Sequence, residues 1–342
     1  MKILITGGCG FVGSNLAIYL KEKFKKSKIY TLDSLIRKGS RQNQKRLKKL
    51  KILNFNIDIS KNYKLKKIKK KFDLIIDCCA EPAINASSKD PDRVFDTNLI
   101  GTFNILKKCI KDKSNLIFLS SSRVYSITKL REILKKSKIY KPLNIKKTIN
   151  ENFETSDASS LYGFTKLASE KLIKEIFYNG NLKYIINRFG VIAGPWQFGK
   201  EDQGFASLWV AKHFFNRKLK YIGFGGRGHQ IRDLIHIDDV CNIISLQIRK
   251  LKKIHNNTFN IGGGIKNAIS LRDLTMKCEK LTKNKIPFKK ITSTSIYDIP
   301  YFVTDNKKIY QKYKWKPRKS IDEILDDIYI WLKKEKNLKE YF

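Results

Sequence analysis

The stretch Lys2-Ile3-Leu4-Ile5-Thr6-Gly7-Gly8-Cys9-Gly10-Phe11-Val12-Gly13 decides the fold of this 342-residue chain. Its first residues are apolar or β-branched and read as a buried strand, and the pattern that follows the glycines reads as a helix over residues 11–26. Gly7, Gly10 and Gly13 keep a three-residue spacing between strand and helix. So tight a turn needs residues without Cβ, which lets backbone N–H groups approach a pyrophosphate at the helix N-terminus. Twenty residues beyond Gly13 the second apolar run ends at Asp33, the position of a carboxylate that accepts a ribose 2′-OH. That charge repels a 2′-phosphate, so NAD is expected over NADP; Arg37 and Lys38 weaken the preference slightly. The plainer alternative is a glycine turn with Asp33 capping the next helix. The register of strand, loop, helix and acid favours the nucleotide.

Apolar, β-rich runs continue at residues 29–33, 53–59, 73–79, 115–121, 183–189 and 258–261, several of them apolar almost throughout. Helical patterns lie between them at 92–111, 161–179 and 238–250. Alternation of this kind specifies an α/β fold with a doubly wound parallel Rossmann sheet. After the sixth run the rhythm changes. Residues 190–235 carry Gly, Trp and aromatics around one helical stretch, 205–216, and residues 265–342 hold two further helices. The expected organisation is an NAD-binding Rossmann domain over 1–189 plus 236–264, and a smaller C-terminal substrate lobe built from two segments, 190–235 plus 265–342. Residues 126–159 are too long for a simple connection and are expected to form an excursion near the active site.

Composition narrows the function classes. Hydrophobic residues make up 42% of the chain, which excludes a mainly disordered protein. The formal net charge is +40, but 58 of the basic residues are Lys and only 13 are Arg, scattered in short runs. A phosphate-reading surface concentrates Arg, so no specific nucleic-acid partner is expected. The six cysteines include no C-x-x-C pair, and the four histidines show no metal-ligand spacing, so no metal is expected. Neither a signal-peptide core nor a run of about 18 apolar residues occurs. The expectation is a cytoplasmic protein with no membrane partner.

Tyr162-Gly163-Phe164-Thr165-Lys166 opens a helical pattern and places Tyr162 and Lys166 on one face. A free phenol has a pKa of about 10. An ammonium roughly 5 Å away contributes about 3 kcal/mol at an effective dielectric near 20, or roughly two pKa units. Tyr162 is therefore a candidate general base on a hydroxyl, with Lys166 lowering its pKa. In a Lys-rich chain this pair gains meaning from Ser120-Ser121-Ser122, which ends the fifth strand where such sheets bind ligands. Ser121 is the hydroxyl expected to orient the reacting oxygen.

Together these residues resemble the extended short-chain dehydrogenase/reductase family, the NAD-dependent epimerases and dehydratases of nucleotide-diphosphate sugars. The resemblance runs along essentially the whole chain and includes Asp58-Ile59, Cys79-Ala80-Glu81, Asn98-Leu99-Ile100-Gly101-Thr102 and His236-Ile237-Asp238-Asp239. It implies cofactor contacts from Gly7, Gly10, Phe11, Val12, Gly13, Asp33, Tyr162 and Lys166. It also implies Asp58 and Ile59 beside the adenine, Ala80 and Glu81 lining the cofactor, and Asn98 supporting the site. A homodimer is implied as well. A narrower resemblance is to family members that invert C2 of a CDP-linked 3,6-dideoxyhexose in lipopolysaccharide O-antigen synthesis. It rests on Asp33-Ser34-Leu35-Ile36-Arg37-Lys38-Gly39, Gln197-Phe198 with Asp202-Gln203-Gly204, Gln230-Ile231-Arg232-Asp233, Phe259-Asn260-Ile261-Gly262-Gly263 and Phe302-Val303-Thr304-Asp305. It implies a CDP-sugar substrate held by Ser121, Gln203 and Arg232, the last on the diphosphate.

The chain departs from the family in three places. Ser122-Arg123 stands where dehydratases carry Asp-Glu, which argues against elimination of water; Ser126-Ile127-Thr128 replaces a common Gly-Asp; and Ser295 stands where many relatives carry Arg. A 4-epimerase, a reductase and a non-enzymatic protein binding NAD and RNA remain the alternatives.

Overall fold

The computed structural model describes residues 1–82, 90–136, 147–157, 160–178, 180–200, 203–335 and 337–342. The chain divides into two compact units: Met1–Val124, Ser160–Arg188 and Cys241–Phe259 form unit 1, and Tyr125–Ser159, Phe189–Val240 and Asn260–Phe342 form unit 2.

Unit 1 is built on the parallel sheet expected from the alternating runs. The sheet's strands are β1 (Lys2–Thr6), β2 (Lys28–Leu32), β3 (Leu53–Phe55), β4 (Leu74–Asp77), β5 (Asn115–Ser121), β6 (Tyr184–Phe189) and, tenth in chain order, β10 (Asn257–Ile261), with Phe189, Asn260 and Ile261 grouped in unit 2. They lie in the order β10-β6-β5-β4-β1-β2-β3. The order reverses between β1 and β4, which opens a crevice at the carboxyl ends of the strands. β1, β4 and β5 are almost wholly buried, as strands covered on both faces must be. Their apolar side chains pack with Ile105, Leu106, Ile173 and Phe177 from the covering helices.

The first helix spans Phe11–Lys23 and the helix carrying the Tyr/Lys pair spans Leu161–Tyr178; Asn179, the expected end of the latter, lies outside the described residues. The helical pattern at 92–111 resolves into Pro91–Phe95, a π-helical turn Asp96–Ile100, and Gly101–Asp112. Asp90 and Pro91 start it: the Asp90 carboxylate accepts the N–H of Arg93, and Pro91 stands where no N–H is needed. The strand expected over 53–59 stops at Phe55, because Asp58 turns its carboxylate back to the N–H of Ser60 at 2.9 Å. The sequence reading also lacked the helix Ser40–Lys49. Its only apolar residue is Leu47, and its buried face is completed by Ser40 and Asn43.

Unit 2 contains strands that the aromatic-rich segments did not announce. These are β7 (Val191–Ala193), β8 (Leu219–Ile222), β9 (Ile231–His236), β11 (Ala268–Ser270), β12 (Phe288–Ile291) and β13 (Tyr301–Phe302). β9 pairs with β11, β13 and β7, and β8 pairs with β12. The helices Phe205–Phe214, Leu271–Thr282 and Ile321–Lys334 share a core with Trp209, Tyr221 and Trp331. Residues 265–342 hold three α-helices among the described residues, Leu271–Thr282, Lys307–Tyr313 and Ile321–Lys334, one more than expected.

The excursion at 126–159 is described in part, as a helix Ile127–Lys136 and the segment 147–157; residues 137–146 and 158–159 lie outside the described residues. It groups with unit 2, so that unit draws on three segments of chain. The contacts that tie it there are local to the unit. The Tyr125 hydroxyl donates to Asn260 at 2.6 Å, Ile149 bridges to Thr304, and the Arg131 guanidinium donates to the carbonyls of Ser295 and Ile296, each at 2.9 Å.

Candidate active site

The glycine loop is closed by contact distances that only glycine tolerates. Gly7 has φ +60°, in the left-handed region. A Cβ on Gly13 would fall 2.2 Å from the carbonyl oxygen of Gly7, and one on Gly7 would fall 2.9 Å from the Cα of Cys79. Gly10 donates its N–H to that same Gly7 carbonyl at 2.9 Å and starts the helix Phe11–Lys23 with no side-chain cap. The first amides of the helix are therefore left to a ligand or to water.

Asp33, just past β2, ties this loop to the next: Oδ2 accepts the N–H of Cys9 at 3.0 Å and Oδ1 that of Leu35 at 2.8 Å. Burial holds its carboxyl above the usual carboxylate range, opposed by those two amides and by Arg37. A carboxylate offers about four acceptor positions, so room remains for a ribose hydroxyl. The cradle fits a dinucleotide: Gly7, Gly10, Phe11, Val12 and Gly13 supply backbone, and Asp33 supplies the acid.

Asn98 stands in the π-helical turn and is fully buried. Its Oδ1 accepts the N–H of Glu81 at 2.8 Å, and its Nδ2 donates to the Glu81 carbonyl and to the Thr165 hydroxyl, each at 3.2 Å. It clamps the backbone after β4 and joins it to the Tyr162 helix. Ala80 is half-buried beside that clamp. The Glu81 carboxylate pairs with Arg93 at 3.2 Å and Arg37 at 3.9 Å. Asp58 is half-buried, and buried Ile59 packs where Gly101 has no side chain.

Ser160 starts the helix Leu161–Tyr178 by accepting the N–H of Gly163 on its hydroxyl at 3.0 Å, which fixes Tyr162 in the first turn. Gly163 is the close-approach residue, since a Cβ there would lie 2.3 Å from the carbonyl of Arg123. This brings the helix onto the end of β5, where the Ser121 hydroxyl hydrogen-bonds to the Tyr162 phenol. Ser121, Tyr162 and Lys166 are thus gathered in unit 1 at the carboxyl end of the sheet.

Burial is the leading electrostatic effect on both groups of the pair. Burial raises the Tyr162 pKa, opposed by the Ser121 hydrogen bond and then by the charges of Arg123 and Arg37. Lys166 is buried, and burial lowers its pKa; Asp77 is the strongest of the groups opposing that shift. Its Nζ lies 3.9 Å from the centre of the Phe118 ring.

Two buried acids were not singled out from the sequence. Asp77 has no exposure and is bonded by the Thr6 hydroxyl, by the N–H of Cys79 at 3.2 Å and by the Thr102 hydroxyl at 3.4 Å. Glu170 accepts the Ser120 hydroxyl at 2.5 Å and a forked pair from Arg188, the shortest contact being 2.6 Å. The available signal for Glu170 was its spacing: Tyr162, Lys166 and Glu170 step along one helix face at i, i+4, i+8.

Gln203 and Arg232 belong to unit 2. Gln203 exchanges backbone hydrogen bonds with Lys200, at 2.7 and 3.1 Å, just before the helix Phe205–Phe214; its neighbour Asp202 lies outside the described residues. Arg232 lies on β9, and its guanidinium donates to the carbonyls of Ile231, at 2.7 Å, and Ile299. A guanidinium has five N–H donors.

A parallel Rossmann sheet with a glycine cradle, a buried acid just past β2 and a Ser–Tyr–Lys group at the strand ends defines a dinucleotide-dependent enzyme. The model of the NAD dependent epimerase/dehydratase family matches residues 3–262, and the chain belongs to that family, with NAD as its cofactor. The CDP-paratose 2-epimerase of Salmonella typhi is 28% identical over 338 residues, covering 97% of this chain and 99% of that protein. The UDP-glucose 4-epimerase of Mycoplasma genitalium is 25% identical, covering 100% of this chain and 97% of its own. Among solved structures, the UDP-glucose 4-epimerase of Thermotoga maritima with UDP-glucose aligns with a TM-score of 0.81 at 24% identity, over 98% of this chain and 99% of the other. That of the UDP-glucuronic acid 4-epimerase from Bacillus cereus, in complex with UDP-glucuronic acid and NAD, aligns at 0.80 and 24% over the same shares. These two likenesses show the fold.

Proposed function

We propose that the protein is a nucleotide-sugar epimerase that works by transient oxidation to a keto sugar and re-reduction, inverting C2 of a CDP-linked 3,6-dideoxyhexose as a CDP-paratose 2-epimerase. The observation that carries the reading is the Ser121–Tyr162 hydrogen bond at the end of β5. The turn that follows it, Ser122-Arg123, offers a cation where elimination of water would need an acid and a base. The C–H bond at C2 is unactivated, so deprotonation is prohibitive and a hydride route is required. NAD, when bound, accepts that hydride and returns it.

The residues divide the remaining work. Gly7, Gly10, Phe11, Val12 and Gly13 hold the pyrophosphate, and Asp33 holds the adenosine ribose. Asp58 and Ile59 flank the adenine, while Ala80, Glu81 and Asn98 line the cofactor. Tyr162 takes the proton from the sugar hydroxyl and gives it back, Ser121 orients that oxygen, and Lys166 holds the nicotinamide ribose. Gln203 and Arg232 bind the substrate, Arg232 through the diphosphate. Unit 1 is then the NAD-binding part and unit 2 the sugar-nucleotide part. The same reading makes the protein a cytoplasmic homodimer serving lipopolysaccharide O-antigen synthesis.

Support for the finer assignment comes from the near full-length match to the Salmonella typhi enzyme. A 4-epimerase is the second reading, favoured by the equally long matches to UDP-glucose 4-epimerases. A screen of CDP-, UDP-, GDP- and dTDP-sugars with product stereochemistry read by NMR separates the two. With substrate deuterated at C2, the label is expected to stay at C2 of the product. Label lost to solvent rules out hydride transfer, and inversion at C4 with C2 untouched moves the protein to the 4-epimerases.

A further inference from the structure

The glycine cradle meets a dinucleotide with backbone, yet a pyrophosphate is doubly charged. Gly7, Gly10 and Gly13 offer amides, and the acid beside them, Asp33, has the wrong sign. A full positive charge has to come from the loops on either side. The strand order places those loops. β1 lies between β2 and β4 and pairs with both in parallel, so the glycine loop is flanked by the loop after β2 and the loop after β4. Neighbouring strands stand about 4.8 Å apart, which separates the two flanking loops by about twice that distance.

Two charged side chains close the gap. Arg37, from the loop after β2, has its Nη1 3.9 Å from Oε1 of Glu81, from the loop after β4. The contact therefore spans the glycine loop. Glu81 is held from two sides. The Asn98 side chain accepts its N–H at 2.8 Å and donates to its carbonyl at 3.2 Å, and its second carboxylate oxygen pairs with Arg93 at 3.2 Å. The Glu81 side chain is 10% exposed against 31% for Arg37, so the carboxylate is the fixed partner and the guanidinium is the one a ligand can reach. The charge of Arg37 also acts on Asp33 and on Tyr162. It thus lies between the acid given to the adenosine ribose and the phenol given to the reacting end, the stretch that a pyrophosphate must cross.

We propose that Arg37 is a cofactor-binding residue that closes over the pyrophosphate of NAD, and that Glu81 is the positioning residue that holds its guanidinium across the glycine loop. A guanidinium fork suits phosphate oxygens better than a point charge does. The contact with Glu81 also draws toward β4 a cation that the loop after β2 would otherwise offer to a ribose 2′-phosphate. This assignment rests on NAD binding alone and not on the epimerase reading.

The test is binding to the NADH-loaded full chain, with Kd values read from displacement of NADH fluorescence by NAD, NADP, ADP-ribose and adenosine. ADP-ribose carries the pyrophosphate and adenosine lacks it. Arg37→Gln is expected to weaken NAD and ADP-ribose by about tenfold, the scale of a charged hydrogen bond, and to leave adenosine unchanged. Arg37→Lys, which keeps the charge without the fork, should fall between. Glu81→Gln leaves the Asn98 clamp on the backbone intact. It should weaken NAD by about threefold alone and add nothing in the Arg37→Gln background, as expected of coupled residues. Unchanged NAD and ADP-ribose in Arg37→Gln, an equal loss for adenosine, or a larger loss for NADP than for NAD overturns the assignment of Arg37. A Glu81→Gln effect that persists in Arg37→Gln overturns that of Glu81. Should Arg37→Gln not fold, Arg37→Lys decides by the same comparison: a loss for ADP-ribose and none for adenosine upholds the proposal, and equal changes overturn it. No sugar substrate is needed, so a failed sugar screen and a failed Arg37 assignment are distinct results.

Discussion

The glycine cradle and the Tyr162 site occupy the carboxyl ends of one sheet but are made of different materials. The cradle is backbone: Gly7, Gly10 and Gly13 approach one another at distances no side chain allows, and the acid Asp33 ties the loop down. The Tyr162 site is a set of charges drawn from several elements: buried Asp77 on β4, buried Lys166 and Glu170 on one helix, buried Arg188 on β6, and half-buried Arg123 after β5. Geometry defines the first region and electrostatic partnership the second. A substitution should therefore act locally and sterically in the cradle, and through unpaired charge in the other region.

The sharpest contrast is expected from Tyr162→Phe, which removes one oxygen and leaves the cradle intact. Positioned acid–base catalysis contributes about 10² to 10⁴ in rate, so kcat should fall by that order while NAD stays bound, as read by product NMR and cofactor retention. Loss of NAD from this variant would mean the two regions are not separable. Next comes Glu170→Ala, which leaves Arg188 buried without its carboxylate partner. Breaking a buried pair from one side costs about 3–5 kcal/mol, measured by denaturant unfolding; a loss under about 1 kcal/mol would place Glu170 with ordinary surface pairs.

In the cradle, Gly13→Ala inserts a methyl 2.2 Å from the Gly7 carbonyl. Overpacking of that kind costs about 1–3 kcal/mol. Calorimetry should find NAD binding weakened more strongly than in Glu170→Ala, and equal binding in wild type and Gly13→Ala would break the assignment of the loop.

The smallest effect is expected from Asp33→Asn. Preference for NAD over NADP should be at least tenfold in the wild type, about 1.4 kcal/mol, and should shrink in the variant; unchanged discrimination counts against Asp33. The same pair carries a pH dependence. Burial holds the Asp33 pKa above the ordinary carboxylate value, so its stability contribution is present at low pH, below the unfolded pKa, and lost as pH rises through the folded pKa. The melting temperature of Asp33→Asn relative to wild type should therefore climb as pH increases from about 4, and a difference that falls instead reverses the sign of the argument.

The difference between the regions also marks what could be read in advance. The cradle, Asp33 and the parallel sheet were legible because each follows from short-range rules: apolar runs of strand length, glycine spacing, and an acid at a strand end. Ser121, Tyr162 and Lys166 were legible as a spacing, but the partnership of their charges was not. Spacing along one helix could not announce Asp77, 89 positions away in sequence on β4, whose charge opposes the effect of burial on Lys166. The strands β7, β9, β11 and β13 escaped notice for a related reason. They are two to six residues long and exist through pairing across unit 2, so no local periodicity announces them.

Sequence alone was enough for the class of fold, the glycine turn after the first strand and the i, i+4 spacing of Tyr162 and Lys166, because backbone sterics and hydrophobic period act over a few residues. Only the tertiary structure decided which buried acid meets which buried cation, that Ser121 takes its orientation from the Arg123 amide, and that residues 125–159 group with unit 2. Those outcomes depend on desolvation and on contacts between distant segments, and both arise only once the chain has closed around them.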